Sequence, residues 1–168
     1  MHSFRTARGV VFSLFCFCCV GQMLPAQTPQ WIWFGTNASM GNPPVFFRKS
    51  FRTPPLLWNS RLTLAADDSA EVFLNGISVA RCSGPDEPIR AEVSVRLNQG
   101  ENVIAVRAVN HSGPAGLLVN LNLGGETNLC SDSSWLAATN EENGWTTLNF
   151  NAAHWAAATT LGPHGMEP

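Results

Sequence analysis

From Ile89 to Leu97 every second residue is apolar. Ile89, Ala91, Val93, Val95 and Leu97 alternate with Arg90, Glu92, Ser94 and Arg96. Successive side chains of an extended strand point to opposite faces, so this spacing predicts a strand with one wet and one dry face. Asn98-Gln99-Gly100 then breaks the run as a turn. The same grammar recurs along the chain. Val103 to Val109 is almost continuously apolar, which suits a strand covered on both faces. Leu117, Val119, Leu121 and Leu123 alternate again and stop at Gly124-Gly125. Ala70, Val72 and Leu74 lead to Asn75-Gly76, a hairpin signal because both central residues of a type I′ turn need positive φ. Ile77 to Ala80 is the return strand, Leu62 with Leu64 and Phe46 to Phe51 give two earlier ones, and Trp31-Ile32-Trp33 a short first one. Roughly eight short strands at spacings of about 8–12 residues predict an all-β chain folded as an antiparallel β-sandwich. No stretch keeps a long helical period. The 14 Gly and 11 Pro suit a fold with many turns.

Residues 1–26 read differently. Arg5 and Arg8 precede an uncharged apolar run from Val10 to Val20, and Leu24-Pro25-Ala26 offers a small residue for cleavage. That is the layout of a secretory signal peptide, and the run is short for a membrane span. An uncleaved N-terminal anchor is the alternative. The expectation is a leader at 1–26 and a single β-sandwich module at 27–168, secreted or held in the periplasm or at the cell surface, with no membrane attachment after cleavage. Cleavage removes Arg5 and Arg8 and no acid, leaving 8 basic against 12 acidic residues and a formal charge of −4. A chain without basic excess has no phosphate-neutralising surface, which excludes nucleic acid as a partner of that kind. The mature chain keeps Cys82 and Cys130. An oxidising compartment permits one disulfide between them; two buried free thiols are the alternative.

Read together, several segments resemble the galactose-binding-domain-like jelly rolls of secreted multidomain proteins. Ala66-Asp67-Asp68-Ser69 leads to Val72-Phe73-Leu74-Asn75-Gly76, and Gly100-Glu101-Asn102-Val103 continues the pattern. Ser131-Asp132-Ser133-Ser134-Trp135, Gly144-Trp145 and Trp155 follow, ending at Leu161-Gly162-Pro163-His164-Gly165. The likeness spans residues 31–165 and is similar to the N-terminal accessory or carbohydrate-binding domains of bacterial α-L-rhamnosidases and of secreted planctomycete proteins. The resemblance implies a non-catalytic binding module whose partner is a carbohydrate, or an accessory module whose partner is a neighbouring domain or protein. It also raises a structural Ca²⁺ held by Asp67 and Asp68, carboxylates being suitable hard ligands; two turn-forming Asp residues are the alternative.

The residues themselves offer little for catalysis. Asp67 and Asp68 are adjacent, so on one strand their side chains diverge and cannot flank a single glycosidic bond. Asp86-Glu87 and Glu141-Glu142 fall in polar loop stretches, and His111, His154 and His164 are scattered without a metal-ligand spacing. No catalytic residue is expected. Sugar recognition needs an aromatic platform and a few polar groups. Trp135, Trp145 and Trp155 occupy the recurrent framework positions of the resemblance and are read as core plugs. Trp31 and Trp33, two apart, are expected on one buried face. Phe46 and Phe47 face opposite ways, so at least one is buried. Trp58, after Pro54-Pro55, is the ring expected at the surface. Asn37, Asn42, Asp68, Asn110 and His111 lie in loops rich in Asn, Ser and Gly, where a rigid scaffold presents binding groups, and are the candidate ligand contacts. Closing turns is their alternative role.

Overall fold

The computed structural model describes residues 27–35, 43–55, 59–84, 88–125 and 127–166. The expected leader at 1–26, Asn37, Asn42, Trp58 and the acidic pair Asp86-Glu87 lie outside them. The described residues form two six-stranded sheets and no α-helix. The strands are β1 (Gln30–Trp33), β2 (Val45–Arg52), β3 (Arg61–Asp67), β4 (Ser69–Leu74), β5 (Ile77–Cys82) and β6 (Ile89–Glu92). Then come β7 (Glu101–Val109), β8 (Gly116–Asn122), β9 (Asn128–Cys130), β10 (Leu136–Ala138), β11 (Ala156–Ala157) and β12 (Thr159–Pro163). The first sheet runs β12-β1-β8-β3-β6, with β9 also on β8; the second runs β11-β10-β2-β7-β4-β5. The pairings between these strands are antiparallel, and the result is the expected antiparallel sandwich.

Alternation explains the packing. Leu62 and Leu64 of β3, Val72 and Leu74 of β4, and Leu117, Val119 and Leu121 of β8 turn inward and close the central core with Ile104, Val106 and Trp135. β7 buries both faces, as its continuous apolar run predicts, and the first half of β2 does so as well. Phe47 enters the central core against Trp33, at 5.7 Å between ring centroids. Phe46 points outward with Ala105 into a second cluster built on Trp145, Ala152 and Trp155. Both phenylalanines are therefore buried, and the segment 139–155 is the layer that covers the outer face of the second sheet. Its anchor is Arg48, only 3% exposed. The guanidinium donates to the carbonyl oxygens of Trp145 at 2.7 Å, Phe150 at 3.3 Å and Leu148 at 3.5 Å. It also lies 5.5 Å from the centre of the Phe150 ring.

The hairpin forms where the sequence places it: Asn75 and Gly76 have φ of 52° and 87°. Buried Asn102 ties this hairpin to the next turn. Its Oδ1 accepts from Asn75 Nδ2 and from the N–H of Asn98, both at 2.8 Å, and its Nδ2 donates to the carbonyls of Asn98 and Gly100.

Two expectations are corrected, and one open alternative is decided. The strand predicted from Ile89 to Leu97 stops at Glu92, and Ser94–Arg96 forms a 3₁₀ turn with Val95 88% exposed. The Glu92 carboxylate accepts from both the N–H and the hydroxyl of Ser94, a local bond that competes with extension. Trp31 and Trp33 do not share a face. Trp33 joins the central core, whereas Trp31 packs with Ala65 and Leu118 on the outside of the first sheet. The register of β1 on β12 shifts between Trp31 and Ile32, and a bulge of this kind adds twist and ends strict alternation. Of the two readings of Cys82 and Cys130, the structure shows buried thiols and no disulfide between them. They sit on strands of different sheets, and their Sγ atoms donate to the carbonyls of Gly84 and Gln27 respectively, each at 3.1 Å.

Candidate functional site

The loop end assembles half of the predicted contacts. β3 ends at Asp67, and the corner residue Asp68 passes the chain to β4; the peptide between the two aspartates is cis. Asp68 Oδ2 accepts from the N–H of His111 at 2.6 Å, latching the 110–116 loop to this corner. The Asp67 side chain is also hydrogen-bonded to Asp68, so the pair does not diverge as it would within one strand. Asn110 is buried, and its Nδ2 donates to the Gly113 carbonyl at 3.2 Å. Its Nδ2 is therefore engaged within the loop. His111 is exposed.

As a calcium site the corner is short of ligands. The described residues contain no group of three or more His, Cys, Asp or Glu placed to hold a metal. Calcium takes six to eight oxygens, and one of the few carboxylate oxygens here is already engaged by a backbone N–H. The described carboxylates at this corner do not by themselves supply a calcium cage.

Hydrogen bonding holds the Asp68 carboxyl below its usual range, first through the N–H of His111. Glu142 is held down in the same sense: its Oε1 accepts from Trp155 Nε1 at 2.7 Å and meets His154 Nε2 at 2.8 Å. A carboxyl depressed by folding contributes stability above its unfolded pKa, near 4, and loses it as pH falls through the lower folded value. Acidification from about pH 5 to about pH 2.5 is expected to lower the melting temperature, and Asp68→Asn and Glu142→Gln should each flatten part of that fall. A wild-type melting temperature constant over this range would contradict the assignment.

A second surface emerges only from the pairing register. On the outer face of the first sheet, Arg90 of β6 stands opposite Thr63 of β3, and Thr63 stands opposite Asn120 of β8. These three side chains form one polar row across three strands. Two residues along, Ala65 faces Leu118, and Trp31 of β1 packs beside them as an apolar strip. The Trp31 indole is fixed by its Nε1, which donates to the Met166 carbonyl at 2.7 Å. Pro29, Pro88 and the turn at His164 to Met166 wall the strip, and together they enclose a groove of about 410 Å³. An apolar floor beside a row of hydroxyl, amide and guanidinium groups is what the C–H face and hydroxyls of a pyranose require. The sequence did mark Arg90 as outward-facing, but Thr63, Asn120 and His164 were missed as site residues. Their outward parity was readable, but not the register that aligns them.

No family model matches the chain, and no curated protein matches it. Solved structures do. An α-L-rhamnosidase of Streptomyces avermitilis, complexed with L-rhamnose, aligns with 83% of this chain at 30% identity and a TM-score of 0.78. A GH78 family rhamnosidase of Bacillus sp. GL1 aligns with 85% at 24% identity and a TM-score of 0.78. A lectin of Pleurotus ostreatus aligns with 86% at 25% identity and a TM-score of 0.70, and its structure with GalNAc aligns at a TM-score of 0.68. The chain spans 15% and 19% of the two rhamnosidase chains and 44% of the lectin. In architecture, this chain is a galactose-binding-like jelly-roll module, the fold found in part of those rhamnosidases and in the lectin.

Proposed function

We propose that the chain is a non-catalytic carbohydrate-binding module, exported by its 1–26 leader and working as the mature segment 27–168. The observation that carries this reading is the amphipathic groove on the first sheet, with Trp31, Ala65 and Leu118 as floor and Thr63, Arg90 and Asn120 as hydroxyl-bonding row. Support comes from a lectin of the same fold whose structure holds GalNAc, and from rhamnosidases in which a fold like this one makes up a small part of a larger enzyme. Fold alone does not carry function, so the groove bears the weight.

A glycan array probed with the full chain, with and without calcium, tests the reading. Binding to at least one glycan is expected, and Asn120→Ala with Thr63→Val should weaken it about thirtyfold, the loss of two hydroxyl bonds of about 1 kcal/mol each. Both substitutions are on the outer face and should leave the melting temperature within a few degrees. An array without any bound glycan would remove the reading. It would then favour the accessory alternative, in which the module packs against a neighbouring domain.

A further inference from the structure

Resting on that reading, we infer that the groove on the first sheet selects saccharides that carry a carboxylate, the uronic acids. The inference comes from how arginines are placed on the sheets. Arg52 stands opposite Glu101 and meets it at 2.8 Å. Arg81 stands opposite Glu71 and meets it at 2.8 Å, with Arg107 on that glutamate's other side. Arg61 stands opposite Glu92. Arg48 is buried and spent on carbonyls. Arg90 breaks the rule. Its cross-strand neighbour is Thr63, its side chain is exposed, and it has no carboxylate within ion-pair distance among the described residues. An arginine on an edge strand also discourages sheet-to-sheet pairing, but Arg90 in addition lines the groove.

The groove's lining is consistent with this. Among the described residues it contains Arg90 and the exposed imidazole of His164 and no Asp or Glu, in a mature chain that is otherwise acidic. Beside an apolar floor that lowers the local dielectric, a guanidinium without a carboxylate is an anion site. Its planar fork accepts a carboxylate through two parallel bonds, a geometry that a neutral hydroxyl cannot match. Asn120, in the same row, and His164, on the wall, would bond the hydroxyls of the same or the adjoining residue.

The test uses the full chain and two probes with one backbone: a hexamer of galacturonic acid and its fully methyl-esterified form. Titration calorimetry is expected to show the acid form bound at least tenfold more tightly than the ester. Arg90→Gln should erase most of that difference while leaving the melting temperature unchanged. Raising the salt from about 50 mM to about 500 mM should weaken the acid form more than the ester, because screening acts on the charge. Equal binding of the two probes, or discrimination that survives Arg90→Gln, would overturn the inference. Binding of neutral glycans that is sensitive to Asn120→Ala but not to Arg90→Gln would overturn it too, while leaving the carbohydrate-binding reading intact. Binding of no glycan, charged or neutral, would remove both.

Discussion

Replacing Trp135 by alanine is expected to cost about 3–5 kcal/mol of folding stability, the usual range for removing a fully buried indole. Trp135 is fully buried between the sheets. It is also bonded on three sides. Its Nε1 donates to the Cys130 carbonyl at 2.9 Å, its own N–H to the Asp132 carbonyl at 3.2 Å, and its carbonyl accepts from Ala158 at 2.8 Å. The substitution leaves a cavity and strands the Cys130 carbonyl without its donor. For a domain of this size the melting temperature should fall by about 10 °C or more. Trp135→Phe keeps most of the volume and should cost clearly less. Chemical denaturation of the three proteins checks the order, and a loss under about 1 kcal/mol for alanine would mean that the indole does not join the two sheets.

Arg48→Leu is the second large effect, about 2–4 kcal/mol. The change keeps an apolar stem of similar reach but orphans the carbonyls of Trp145, Leu148 and Phe150, which the guanidinium now satisfies. Each buried carbonyl left without a donor costs about 1–3 kcal/mol, partly relieved where water can enter. Lysine should not rescue it, because one ammonium cannot reproduce a planar fork that reaches three carbonyls. The damage should be local. Limited proteolysis is expected to cut Arg48→Leu within 139–155 faster than wild type, while the central core stays protected. Cleavage spread evenly over the chain, or none beyond wild type, would contradict the role given to Arg48.

These two residues also mark what a sequence can and cannot reveal. Trp135 was readable as a core plug from its place in a recurrent framework. The hairpin at Asn75-Gly76 and the doubly covered strand β7 were readable from local chemistry alone. Arg48 was not, because a charged residue in an apolar run becomes intelligible only when the chain about 100 residues later supplies its carbonyls. The turn at Ser94–Arg96 escaped for a related reason: the alternation continued through it, and a side-chain bond from Glu92 to Ser94 overrode the pattern. Trp31 left its expected face at a register shift that leaves no mark in composition. The groove is the extreme case. Its row gathers residues 63, 90 and 120, and parity places each outside without saying which strands are neighbours.

The central claim is that recognition occurs on the outer face of the first sheet and not at the loop end. Backbone NMR of the full chain, titrated with any saccharide it binds, addresses this directly. The account predicts shifts concentrated at Thr63, Ala65, Arg90, Leu118 and Asn120, with Asp68 and residues 110–116 unmoved. Shifts centred on Asp68 and the 110–116 loop, with the β3, β6 and β8 signals unchanged, would contradict it.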